Sequence, residues 1–256
     1  MSSTRPSIEE LRVVCQPREV IGRPGDEHWA GRLYMRRGSI YATWALVRLE
    51  VSANTVTLAM VGVGILAAAF FALPGLVPAI LGAILVQAYL LLDCSDGEVA
   101  RWMETTSVKG VYLDRLGHYV VEASLAVGLG IRAADADDLL WVVVGLATAV
   151  FILLIKSAGD LVTASRARAG MPPAEPSSMP GGRVARPLRK VGRVLPIHRL
   201  IGAVELSLAA MVAAVVDTTN GGVAGTRTLM VAALAVSVLV FVVRVTVILG
   251  SRRFSS

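Results

Sequence analysis

Charge is scarce in this chain. Of its 256 residues only 17% are Asp, Glu, Lys or Arg, where a soluble domain carries roughly a quarter. Hydrophobic residues make up 55% and the mean hydropathy is +0.65. That excess of apolar side chains exceeds what a soluble core absorbs and has to go into lipid. Cysteine is nearly absent too. Cys15 and Cys94 cannot build a disulfide framework, and neither sits in a metal-ligand spacing. Cys94 reads as a small packing residue. Aromatic residues are only 5%, and the net charge of +6 is not spread over an aromatic-interleaved surface. The basic residues cluster between apolar segments, which argues against a nucleic-acid partner and for membrane topology. Met1 to Pro24 is polar, and no signal-peptide core is expected there.

Six apolar stretches approach the ~20 residues that a hydrocarbon core requires. They lie at 54–73, 75–95, 111–133, 139–160, 200–216 and 228–249. The implied fold is an all-α, polytopic membrane protein with six transmembrane helices. Residues 27–49 mix Trp29, Tyr34, Tyr41 and Trp44 with Arg32, Arg36, Arg37 and Arg48, the pattern of an N-terminal interfacial helix or a juxtamembrane connector. The expected organisation is a cytoplasmic segment at 1–50, a membrane domain at 51–250 and a tail at 251–256, with no internal repeat. A polar turn at 96–103 is expected to end the second span. Residues 171–182 read as a loop rich in proline and glycine.

Charge sets the expected orientation. Between the fourth and fifth spans lie Arg166, Arg168, Arg183, Arg186, Arg189, Lys190, Arg193 and Arg199, and the chain ends with Arg252 and Arg253. The opposite connections carry Asp135, Asp137, Asp138 and Asp217 against Arg132 and Arg227. The positive-inside rule then places both termini in the cytoplasm.

Between the second and third spans three carboxylates recur at helical intervals. Asp93, Asp96, Gly97, Ala100 and Arg101 fall at i, i+3, i+4, i+7 and i+8 and share one helix face. Gly110, Asp114 and His118 follow, the last two one turn apart. Ionised carboxylates at an apolar helix end are costly unless a cation compensates them. Asp93, Asp96 and Asp114 offer hard oxygen ligands suited to Mg²⁺ or Mn²⁺. Two such ions about 4 Å apart could clamp a diphosphate. Gly97 and Ala100 lack bulk on that face, so a ligand can lie against the backbone. Arg101 can fork onto a phosphate oxygen. A helix cap would account for Asp96 and Gly97 alone. An EF-hand would need an acid where Leu92 stands.

This spacing resembles the signature of the CDP-alcohol phosphotransferase family, D-x2-D-G-x2-A-R-x8-G-x3-D-x3-D. Seven of eight fixed positions match over residues 93–118, and His118 replaces the last aspartate. The resemblance implies an enzyme of a bacterial cell membrane, with its active site at the cytoplasmic face. Such an enzyme moves a substituted phosphate from a CDP-linked donor such as CDP-diacylglycerol to a small alcohol acceptor, releases CMP and serves phospholipid biosynthesis. It also implies membrane lipids and a second copy of the chain as partners. By position, Asp93, Asp96 and Asp114 become metal ligands, Gly97, Ala100 and Arg101 receive the nucleotide, and His118 takes the place of the general base. Imidazole can act as a base near neutral pH, or ligate a metal, without bringing negative charge. Glu122, one turn further along, is expected to hydrogen-bond His118 and fix its tautomer.

Lys156 and Asp160 lie one turn apart near the end of the fourth span, and Lys156 could hold a phosphate of the acceptor or simply snorkel to the headgroups. Asn54 and Thr57 resemble the family's Pro-Asn-x-Val-Thr start to the first span, with Ala53 for the proline, and are expected to cap that helix, with approach to the nucleotide as the alternative. Glu205 reads equally as a helix-packing or a cavity residue. Two alternatives to the enzyme stay open, a catalytically weakened CDP-lipid binder and a small membrane transporter.

Overall fold

The computed structural model describes residues 6–17, 29–134, 138–172 and 201–250. Most of the expected 171–182 loop, the basic residues from Arg183 to Arg199, Asp135, Asp137 and the terminal arginines lie outside them. Among the described residues there are eight α-helices and no strand. They are α1 (Ile8–Cys15), α2 (Arg36–Arg48), α3 (Ala53–Ala72), α4 (Leu76–Trp102), α5 (Val108–Ala133), α6 (Leu140–Arg168), α7 (Ala203–Asn220) and α8 (Ala224–Leu249). A π-helical turn, Gly31–Met35, leads into α2.

The molecule is an all-α polytopic membrane protein. Five of its helices, α3, α4, α6, α7 and α8, are long and apolar enough to cross a membrane. The sixth, α5, has the length at 26 residues. Its hydropathy is lowered by Lys109, Asp114, Arg115, His118, Glu122 and Arg132, of which Asp114 and His118 belong to the second half of the motif.

Two boundaries differ from the sequence reading. The second span does not turn at residue 96; α4 continues to Trp102, so the whole first half of the motif is helical. Gly97 is one weak helix former followed by Glu98, Val99, Ala100 and Arg101, and a single glycine costs only about 1 kcal/mol. The stop comes later, where Glu104 adopts a left-handed conformation (φ 53°) and the Thr105 N–H closes back on the Ala100 carbonyl at 3.0 Å. Likewise α6 runs past residue 160 to Arg168. Helix α1 was not anticipated. Its signal is Ser7-x-x-Glu10, a capping box in which each side chain takes the other's backbone N–H, at 3.2 and 2.8 Å.

The chain divides into two compact units, Met1–Phe70 with Ile80–Val121, and Phe71–Ala79 with Glu122–Ser256. In the first, Leu11, Cys15, Ile40, Val47 and Val99 form a buried cluster that seats α1 and α2 against the motif end of α4. Helices α3 and α5 approach closely at Gly64 and Gly117. A Cβ at Gly117 would fall 2.7 Å from Val61, and one at Gly64 would collide with Val121, so small residues set this helix spacing.

In the second unit α8 packs on α6 and α7, and Ala126, Ala149, Ile152, Ile155 and Ile201 form its core cluster. A buried polar knot ties its helix ends together. Asp217 accepts the N–H groups of Gly225 (2.6 Å) and Thr226 (3.2 Å) and the Thr226 hydroxyl, capping α8. Arg132 donates to the Leu73 and Gly75 carbonyls at 2.7 and 3.0 Å and to Thr226.

Candidate metal centre

Because α4 is unbroken, Tyr89, Asp93, Asp96, Gly97, Ala100 and Arg101 descend one helix at turn-like intervals, while α5 brings Asp114 and His118 to the same place. His118 Nε2 lies 3.0 Å from Asp93 Oδ1 and 3.4 Å from Asp114 Oδ1. One donor atom from each of the three side chains falls within 4.8 Å of the others, a spacing one cation can bridge. The group is partly open, and Asp114 is its most exposed member at 39%. On the other side of the ring, His118 Nδ1 shares a hydrogen bond with the Tyr89 hydroxyl, and the two rings meet edge to face with centroids 5.9 Å apart. The imidazole therefore spans one turn of α4, from Tyr89 to Asp93.

Asp96 has a different environment. It is only 7% exposed, and its Oδ2 accepts the Thr57 hydroxyl at 2.7 Å. Thr57 thus reaches across to the motif instead of capping α3. The cap is Ser52, whose Oγ accepts the Thr55 N–H at 3.3 Å. Asn54 Oδ1 lies beside Gly110, 3.4 Å from where a Cβ would be.

Arg101 folds back along α4. A Cβ on Gly97 would come within 3.2 Å of its Nη1, so the missing side chain at 97 makes room for the guanidinium. Its Nε donates to the Cys15 carbonyl at 2.8 Å, and its Nη2 is buried without a hydrogen-bond partner. An unsatisfied buried guanidinium donor is costly, and an anionic ligand would relieve that cost. Ala100 is half-buried beside it.

Next to this opening stands a closed one. Glu98 is fully buried and accepts hydrogen bonds from Gln16 Nε2 (2.8 Å), Ser39 Oγ (2.7 Å), Thr43 Oγ1 (2.7 Å) and Arg36 Nη1 (3.3 Å). The Cys15 thiol donates to the Glu98 carbonyl at 3.3 Å. Burial, reinforced by the Glu98 carboxylate, pushes that thiol up to about 11.

The expected pairing of Glu122 with His118 is not the one found. The Glu122 carboxylate is held by Lys156 Nζ at 2.9 Å, and both ring nitrogens of His118 are engaged by Tyr89 and the two aspartates. An ion pair compensates Glu122 better than a neutral ring can in a helix of this polarity. Lys156, read either as a ligand of the acceptor phosphate or as snorkelling to the headgroups, is accordingly half of that pair.

Sequence reasoning missed Tyr89 and Glu98. Tyr89 sits one turn before Asp93 inside an apolar run, and that interval was its only signal. Glu98 fills a variable position of the motif and carries none.

Two carboxylates and one imidazole make a donor set for a hard or borderline divalent cation, and no thiolate belongs to it. A search of curated proteins finds no match to the chain. Residues 50–176, which hold every residue of this cluster, match the model of the CDP-alcohol phosphatidyltransferase family.

Proposed function

We propose that this chain, a member of the CDP-alcohol phosphatidyltransferase family over residues 50–176, transfers a phosphatidyl group from CDP-diacylglycerol to a small alcohol and releases CMP. The family supports the coarser activity, a membrane-bound transfer of a substituted phosphate in phospholipid biosynthesis. The observation that carries the finer reading is the convergence of Asp93, Asp114 and His118 within 4.8 Å inside the matched region.

In this reading Asp93, Asp114 and His118 hold Mg²⁺ or Mn²⁺, with Asp96 beside them under Thr57. When bound, the cation neutralises the diphosphate and the charge that develops on departing CMP. Arg101 supplies its unpartnered Nη2 to a phosphate oxygen, and Gly97 with Ala100 lets the nucleotide lie against α4. The acceptor oxygen attacks phosphorus as the bond from that phosphorus to the CMP oxygen breaks. The hydroxyl proton goes to the cluster's most exposed carboxylate, Asp114. Both termini and the site face the cytoplasm, an orientation supported by the basic loop after α6 and the acidic connections opposite. The active form is a homodimer in a bacterial cell membrane.

The test is purified protein in detergent micelles with CDP-diacylglycerol, a panel of alcohols and Mg²⁺ or Mn²⁺, with CMP followed by chromatography. CMP release that requires both an alcohol and the divalent cation is the expected result. Tight CDP-diacylglycerol binding without CMP from any alcohol would contradict it.

A further inference from the structure

The family's last motif aspartate is replaced here by His118, and the replacement comes with a neighbour that explains what the ring does. His118 Nε2 points between Asp93 Oδ1 and Asp114 Oδ1, and Nδ1 is taken by the Tyr89 hydroxyl. No ring nitrogen is left to face an incoming hydroxyl, which removes His118 from the role of proton acceptor. A nitrogen that ligates a cation must present its lone pair. If Nε2 does so, the ring proton sits on Nδ1, and Nδ1 then donates to the Tyr89 oxygen. Tyr89 is 2% exposed and anchored in α4 one turn before Asp93, so it fixes ring and tautomer on the same rigid element that carries the carboxylate.

We infer that Tyr89 is a positioning residue that turns His118 into a nitrogen ligand, giving this site a preference for a cation that accepts imidazole, Mn²⁺, over Mg²⁺. The physical reason is ligand chemistry. Mg²⁺ favours all-oxygen shells and keeps its waters, whereas transition ions gain from imidazole in the order of their nitrogen affinity. One fewer carboxylate also lowers the negative charge that holds a hard ion by electrostatics alone. Partners that orient a ligating histidine typically contribute 10- to 100-fold to metal affinity, roughly the effect expected of Tyr89. This inference rests on the cation-site reading above and assigns the departing motif position its role within it.

The experiment uses the full-length protein in micelles, with the metal alone as probe and no donor or acceptor present. Mn²⁺ affinity is read from the EPR signal of free Mn²⁺, Mg²⁺ affinity from competition, and ligation from the nitrogen modulation of the bound Mn²⁺ signal. The parent is expected to show nitrogen coupling and a Mn²⁺ preference that narrows at least about tenfold in His118→Asp. Tyr89→Phe is expected to weaken Mn²⁺ about tenfold in the parent and to change nothing in the His118→Asp background. A merely structural tyrosine would cost the same in both backgrounds, and that outcome overturns the inference. So does bound Mn²⁺ without nitrogen coupling, in which case the cation site itself stands. A parent protein that binds neither ion overturns both. Should Tyr89→Phe fail to fold, nitrogen modulation in the parent and its loss, with the narrowed Mn²⁺ preference, in His118→Asp still decide whether the ring is a ligand.

Discussion

Two acidic groups lie within one or two turns of each other on α4, and they are built in opposite ways. Glu98 is sealed from solvent and accepts four hydrogen bonds, one from Gln16 just after α1 and three from Arg36, Ser39 and Thr43 of α2. Asp93 faces Asp114 across an imidazole, partly open to the surroundings. A carboxylate satisfied by the protein's own donors is finished structure and fastens elements together. Two partly open carboxylates gathered around one imidazole, with no further donors closing on them among the described residues, leave oxygens that a divalent cation can take. A carboxylate on the same helix is thus fastened into the structure in one case and left with oxygens open to a ligand in the other, and the donors around it decide which.

That contrast can be broken or sharpened by substitution. The largest effect is expected at the open group. An Asp93→Asn, Asp114→Asn double variant should lose at least about a hundredfold in CMP release, the order of a lost electrostatic stabiliser. Its thermal midpoint without metal should fall less than that of a Glu98 variant, because the two carboxylates are partly open to solvent and only His118 loses them as partners. A midpoint drop as large as that of a Glu98 variant would erase the distinction. Glu98→Ala removes the carboxylate that Arg36, Gln16, Ser39 and Thr43 share and should cost about 3 kcal/mol, read as a lowered melting temperature in micelles. Asp217→Ala is the control in the other unit. It frees the Gly225 and Thr226 N–H groups and should cost about 2 kcal/mol without altering Mn²⁺ affinity. The smallest effect concerns Cys15. With its thiol pushed up to about 11, it stays protonated at pH 8 and should resist iodoacetamide in the folded protein, measured by mass spectrometry. It should react only once denaturant opens the Glu98 cluster.

Much of this architecture is legible in the residues. The apolar runs locate every long helix to within a few positions at most ends, because twenty lipid-facing residues leave little freedom. The exceptions are instructive. α4 and α6 run on past their apolar stretches, since a helix leaving the bilayer needs no hydrophobicity to continue, only the absence of a stop. Glu104 supplies that stop for α4, and a left-handed glutamate has no sequence signature. The motif spacing puts Asp93, Asp96, Gly97, Ala100 and Arg101 on one face of α4, and Asp114 with His118 on one face of α5, because i, i+3 and i+4 intervals are fixed by helix geometry. What spacing cannot give is the partner on another element. Thr57 reaching Asp96, Tyr89 reaching His118 and Lys156 taking Glu122 all depend on how helices pack. The capping box at Ser7 and Glu10 could have been read from the sequence, and it marks α1.

The most direct test of an acidic pair awaiting a cation is the thermal stability of the metal-free protein as Mn²⁺ is added. The parent and Glu98→Gln should both be stabilised, by about 2.7 kcal/mol at a hundredfold excess over Kd, although Glu98→Gln starts from a lower midpoint. The Asp93→Asn, Asp114→Asn variant should show no shift. An equal Mn²⁺ stabilisation in that variant would contradict the account.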